Sequence, residues 1–206
     1  EVVDNVDPSH LNKYKTFAMS KDHLKINPYF SHLLAYSLAK FHWEKQKNKV
    51  IEQIHWYVNH ISNADNQVDI QVVCDYDLQK TEIKGIYLQK KFSENRAEFG
   101  IGNCADSTDS YHATFLMLIA QVLQNEPQIL FEYMNSKNNQ FKIQLHLILN
   151  SLLDLEHDSL TVAKKSYPIK YAMDNVEVLH GIKIFQDQID LLNFENQSQL
   201  ISADDL

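Results

Sequence analysis

Apolar residues recur at helical spacing twice in the first third of the chain: Phe30, Leu33, Leu34, Leu38 and Phe41, then Val50, Ile51, Ile54, Trp56, Tyr57, Val58 and Ile61. Steps of three and four residues place side chains on one helix face, so both runs predict helix. Asn27-Pro28 reads as a helix start, because asparagine caps orphan N–H groups and proline is tolerated in the first turn. Ser62-Asn63-Ala64-Asp65-Asn66 reads as the loop that ends the second run. Residues 1–65 are therefore expected to be a helical N-terminal portion. The pattern then changes. Val68 to Cys74, rich in β-branched residues, predicts a short strand. Leu78 to Phe92 fits either state: Ile83, Ile86 and Tyr87 suit a helix face, whereas Gly85 opposes it.

The most regular helical stripe runs from Asp106 to Gln124, through Tyr111, Phe115, Leu116, Leu118, Ile119, Val122 and Leu123, and Pro127 closes it. Beyond it, Ile129 to Met134 and Gln140 to Leu149 flank the turn-rich Asn135-Ser136-Lys137-Asn138-Asn139, a pattern that predicts a β-hairpin. In the second arm, Phe141, Ile143, Leu145, Leu147 and Leu149 alternate with Lys142, Gln144 and His146, which places His146 on the polar face of the expected strand. Val176 to Phe185 predicts a further strand with Gly181 as a bulge, and Gln186 to Leu192 the start of a helix. The polar end, residues 196–206, is expected to fray. A chain of 206 residues organised in this way is expected to form one domain, with residues 66–195 as its core.

Composition narrows the classes of function. A hydrophobic fraction of 44% with 22% charged residues is that of a soluble globular protein, and no apolar run approaches the roughly 20 residues needed to cross a bilayer. The formal net charge of −8 opposes binding to nucleic acid or to anionic membrane unless one face is strongly basic, and no such face stands out in the sequence. The acidic surface weakly favours a basic partner protein. Two cysteines, Cys74 and Cys104, are too few for the disulfide framework of an oxidising compartment, so free thiols in a reducing compartment are expected. No metal and no cofactor are expected. His55 and His60 are five apart, there is no HExxH or CxxC, and Gly100 and Gly102 lack the continuation of a phosphate-binding loop.

Two of only four glycines fall in Phe99-Gly100-Ile101-Gly102-Asn103-Cys104, just before the strongest helix. A thiol at a helix start is stabilised as the nucleophilic thiolate, because the first-turn N–H groups are unpaired and partly positive. A cysteine nucleophile needs an imidazole to take its proton, and the imidazole needs an acceptor to orient it. The order Cys104, His146, acid fits that requirement. Asp174 follows the histidine at a plausible distance; Asp158 is the alternative acid, with Asp154 in competition. Asn103 is a candidate for the oxyanion site, although its commonest use before a helix is as a cap.

Gly102-Asn103-Cys104, with Ala113-Thr114-Phe115-Leu116-Met117-Leu118 beyond it, resembles the opening of the central helix in papain-like and transglutaminase-like cysteine enzymes, including those among secreted bacterial (Legionella-type) effectors. Leu145-His146-Leu147-Ile148-Leu149-Asn150 resembles their histidine-bearing strand. The resemblance spans roughly Phe99 to Asn175. It implies an α+β fold in which a Cys-bearing helix packs on an antiparallel sheet, and a Cys104–His146–Asp174 triad acting on protein amide bonds as protease, deamidase or transglutaminase. It further implies a host protein as substrate, with a bacterial effector delivered into the host cytoplasm as the setting. Two features depart from the pattern: the acidic-proline-tryptophan segment is missing, and Ala105-Asp106 stands where a glycine-glutamate pair is common. A different reading stays open beside it, a non-catalytic protein-binding module of an effector or adaptor in which Cys104 is structural. The histidines and aromatics elsewhere read as packing: His112 at the edge of the core, and Trp43, Trp56, Tyr57 and Cys74 within it.

Overall fold

The computed structural model describes residues 2–5, 15–17, 25–63, 71–72, 76–80, 86–91, 107–134, 140–165 and 167–196. Strands β1 (Val2–Asn5), β2 (Lys15–Phe17) and β3 (Lys25–Ile26) precede the long helix α1 (Pro28–His60), and β4 (Ser62–Asn63), β5 (Gln71–Val72), β6 (Tyr76–Lys80) and β7 (Ile86–Lys91) follow it. The second half holds α2 (Thr108–Asn125), α3 (Pro127–Met134) and α4 (Gln140–Leu155), the small hairpin β8 (Glu156–His157) and β9 (Leu160–Thr161), and α5 (Ala172–Asn196). The fold is α+β.

Asn27 caps α1 as its sequence suggests, with Oδ1 accepting from the Phe30 N–H at 3.4 Å and Pro28 in the first turn. The two apolar runs are one 33-residue helix, kinked at His42 where φ is −140°. The strands β1, β2 and β3 correct the expectation of a helical N-terminal portion over residues 1–65. They join β6 and β7 in a five-stranded sheet of order β2-β1-β7-β6-β3. The sheet is mixed rather than antiparallel, since β1 runs parallel to β7. The described residues of the ambiguous stretch Leu78 to Phe92 belong to the antiparallel pair β6 and β7, with Tyr76 opposite Lys91 and Lys80 opposite Tyr87.

α2 lies at the centre, packed chiefly against α5 and α1, with α3 and α4 beside it. Trp56 and Tyr57 of α1, Phe115, Leu116 and Ile119 of α2, Phe141, Leu145 and Ile148 of α4, and Phe185 and Ile189 of α5 share one core. α2 therefore packs mainly among helices, not on an antiparallel sheet as expected. The close crossing of α2 and α5 depends on Gly181: a Cβ there would stand 2.6 Å from the Ala113 carbonyl oxygen. Gly181 is a helix-packing position, not the bulge of a strand, and the segment 176–185 lies inside α5. The expected hairpin of 129–149 is likewise replaced by α3 and α4. No helix among the described residues is long and apolar enough to cross a membrane.

Candidate functional site

The first turn of α2 holds a dense group of buried polar side chains. Ser107, the N-cap residue, makes no capping bond with its side chain; its hydroxyl faces the carboxylates of Asp109, 2.7 Å to Oδ1, and of Asp174 in the first turn of α5, 3.1 Å to Oδ2. Asp109 also accepts from the Ser110 N–H at 2.8 Å and from the Thr161 hydroxyl of β9 at 2.9 Å. A hydroxyl has one proton to give, so both Ser107 contacts become hydrogen bonds when one of the two carboxyls is protonated. Burial pushes the Asp109 carboxyl above its ordinary value, and nearby Asp174 adds to the rise, against the lowering effect of its hydroxyl and N–H donors. Asp109 is thus the group suited to hold that proton.

Asn175 locks the hairpin to α5. Its Oδ1 accepts from the Thr161 N–H at 2.7 Å and its Nδ2 donates to the Thr161 carbonyl at 3.0 Å, reproducing the pairing of a neighbouring strand. The main-chain donors of the α2 first turn are engaged as well. Thr108 N–H donates to the Ala163 carbonyl at 2.8 Å and Tyr111 N–H to the Ser107 carbonyl at 3.2 Å. From Thr108 onward, the helix start spends its donors within the protein, so an oxyanion site would have to draw on N–H groups upstream of it.

One turn deeper lies a second polar layer. The hydroxyl of Thr114 donates to the Ser110 carbonyl at 2.8 Å, which leaves its oxygen to accept from His32 Nδ1, 3.2 Å away. That geometry puts the proton of neutral His32 on Nδ1. Complete burial, reinforced by His112, pushes the His32 pKa down to about 3, so the imidazole is neutral. The Tyr57 hydroxyl contacts His112 Nδ1 at 3.2 Å, and His112 is fully buried, in the interior of the core rather than at its edge.

Of the residues expected to be catalytic, Cys104 and Asn103 lie outside the described residues, as does Cys74. Asp174 is buried beside Ser107, and Ser107 stands three residues after Cys104 in the chain. His146 is half-buried on helix α4 rather than on a strand. Nine residues of α4 separate it from Leu155, which packs on Tyr111 near the start of α2; at 1.5 Å per residue that is roughly 14 Å of axial rise. Asp158 lies in the exposed turn between β8 and β9 at φ 53°, where it pairs with His157 at 2.8 Å and Lys170 at 3.7 Å. Asp154 is 3.9 Å from Lys165. The described geometry thus brings Asp174 to the start of α2, and sets His146 well along another helix.

The sequence reasoning missed Asp109, Thr161 and Asn175. Ser107-Thr108-Asp109-Ser110 carries an ordinary helix-start signal, and nothing local reveals that this turn is buried under α5 and β9. It also missed an apolar surface. Thirteen large hydrophobic side chains are exposed among the described residues, and eight of them fall between Leu153 and Leu179. Three of the eight, Leu153, Leu160 and Leu179, line a groove of about 270 Å³ between α4, the β8–β9 hairpin and α5. No family model, curated protein or solved structure matches the chain.

Proposed function

We propose that this chain is a protein-binding module, part of an effector or adaptor, whose working surface is the apolar face of α4, the β8–β9 hairpin and α5, with Cys104 in a structural role. The concentration of exposed apolar residues in 153–179 carries this reading. Scattered surface hydrophobics are ordinary, whereas exposed apolar residues that line a groove, as Leu153, Leu160 and Leu179 do, are a usual signature of a partner site. The buried polar group at the head of α2 then has a structural role. It fixes the first turn of α5 and the hairpin, and so sets the shape of the groove.

A second reading is favoured by one contact, that of Asp174 with Ser107 just downstream of Cys104. In it the chain is a cysteine-dependent acyl-transfer enzyme of papain-like or transglutaminase-like kind, modifying a host protein. Cys104 Sγ attacks the carbonyl carbon of a protein amide while His146 accepts the thiol proton. The C–N bond breaks, the amine or ammonia leaves with that proton, and a thioester remains. Water then completes a hydrolysis or deamidation, and a second amine completes a transfer. In that scheme Asp174 would orient the imidazole, and the His146 region of α4 would have to approach the start of α2.

Alkylation of the folded protein with iodoacetamide across pH separates the two. The binding reading expects Cys104 to react as slowly as Cys74, with a rate rising only near the ordinary thiol pKa of about 8.5. Rapid alkylation of Cys104 near pH 6, lost in His146→Ala, would overturn it in favour of the enzyme.

A further inference from the structure

Resting on the binding reading, we infer that the groove takes an amphipathic α-helix of a partner protein, lying along the seam of α4 and α5 with a basic residue set against Glu156. The two walls have the form this needs. Leu149 and Leu153 on α4, continued by Glu156 just past its end, face Asn175, the adjacent pair Val178 and Leu179, and Ile182 on α5 across the groove, and each wall steps by three to four residues. Two ridges of that kind form the trough into which a third helix inserts its own ridge. A cavity of roughly 150 Å³ holds one benzene, so 270 Å³ takes about two inserted apolar side chains, with the partner backbone lying above the groove.

An added β-strand, the other common way to occupy such a surface, is blocked at the hairpin. Both main-chain groups of Thr161 on β9 are already held by the amide of Asn175, so an incoming strand would find no ladder to join there. The same hairpin lines the groove at its β8–β9 end through Ser159 and Leu160. Charge sets the polarity of that end. Among the described residues Glu156 is the only charged side chain lining the groove, its carboxylate oriented by the Ser159 N–H, in a protein of net charge −8. A lysine or arginine one turn beyond the inserted apolar pair would complement it.

The test is selection from a displayed library of amphipathic helical peptides, carried out on the full chain. Sequences with apolar residues at i and i+3 or i+4 and a basic residue one turn further on should be enriched. A synthetic peptide of that pattern should gain helix on binding and lose at least tenfold in affinity against Leu179→Asp and threefold or more against Glu156→Lys. Leu179 is exposed, so its variant should keep the wild-type circular dichroism. Enrichment of extended apolar peptides that still need Leu179 overturns the helical occupant and leaves the binding face standing. Binders indifferent to Leu179→Asp, or no binders, remove both. Self-association of the chain that Leu179→Asp abolishes assigns the groove to a second copy and overturns the proposal.

Discussion

α2 and α5 cross at Gly181 and share a core, yet their surfaces are inverted relative to one another. α2 buries fourteen of its eighteen residues, among them Thr108, Asp109, Ser110, His112 and Thr114. α5 turns Met173, Val176 and Leu179 outward, each about two-thirds exposed. A polar group inside the protein is tolerated only with its hydrogen bonds made, and an apolar group outside gains nothing from the fold that holds it. The contrast separates two kinds of constraint. Asp109 and Thr114 of α2 are held by groups on neighbouring elements, the Thr161 hydroxyl and the His32 imidazole, while the outward residues of α5 lie open to solvent.

The strongest way to break the contrast is to force the two helices apart. Gly181→Val places a side chain against the Ala113 carbonyl, a backbone atom that cannot turn away; the expected loss is about 3 kcal/mol in urea unfolding, with the buried side of α2 most affected. Acid should act nearly as strongly. His32 stays neutral in the fold down to about pH 3, whereas the unfolded chain protonates it near the ordinary histidine value of 6.5. Its contribution is therefore complete above pH 6.5 and is lost as pH falls toward 3, at roughly 1.4 kcal/mol per unit, or about 3 kcal/mol by pH 4. His32→Leu should flatten that limb of the stability–pH curve.

Asp109 should give a smaller effect of opposite sign. Its folded pKa is raised from 3.8, so the fold binds the proton more tightly than the unfolded chain does. Its contribution is full below that value and declines as pH rises through the folded pKa. Asp109→Asn should remove this decline with little change in acid. Asp109→Ala should cost about 2 kcal/mol, because it leaves the Ser110 N–H without its acceptor and strips the Ser107 and Thr161 hydroxyls of one of their two carbonyl or carboxylate contacts. An unchanged pH profile in Asp109→Asn would mean that the Ser107 group carries no shared proton.

The same contrast explains which parts of the fold are readable in the sequence. α1 and α2 are, because Asn27-Pro28 marks a start and one apolar stripe faces the core. In α5 the outward Val176 and Leu179 add apolar residues to both sides of the helix, so the stripe Val178, Gly181, Phe185 and Ile189 is lost in an apparent strand. α4 resembles a strand because Phe141 to Leu147 alternates strictly over seven residues. The continuation to Leu152 and Leu155, and burial of Ile148 while Ile143 is exposed, belong to a period of 3.6. β1 and β3 are short and pair with β7 and β6 far along the chain, a non-local partnership that no local pattern encodes. Of the candidate site, Asp174 stands out by its place after His146, and the structure sets it at the head of α2. Its neighbours Asp109 and Thr161 stay hidden because a polar first turn looks alike whether buried or exposed. The glycine-cysteine segment lies outside the described residues.

The central claim is that the outward face of α5 serves a partner and does nothing for the fold itself. Urea unfolding of the double variant Val176→Asp, Leu179→Asp tests it most directly. The expected stability is within about 0.5 kcal/mol of the parent for each substitution, as for other surface positions. A loss of about 2 kcal/mol or more, on the scale set by Gly181→Val, would show that this face is packed by the chain's own residues and would contradict it.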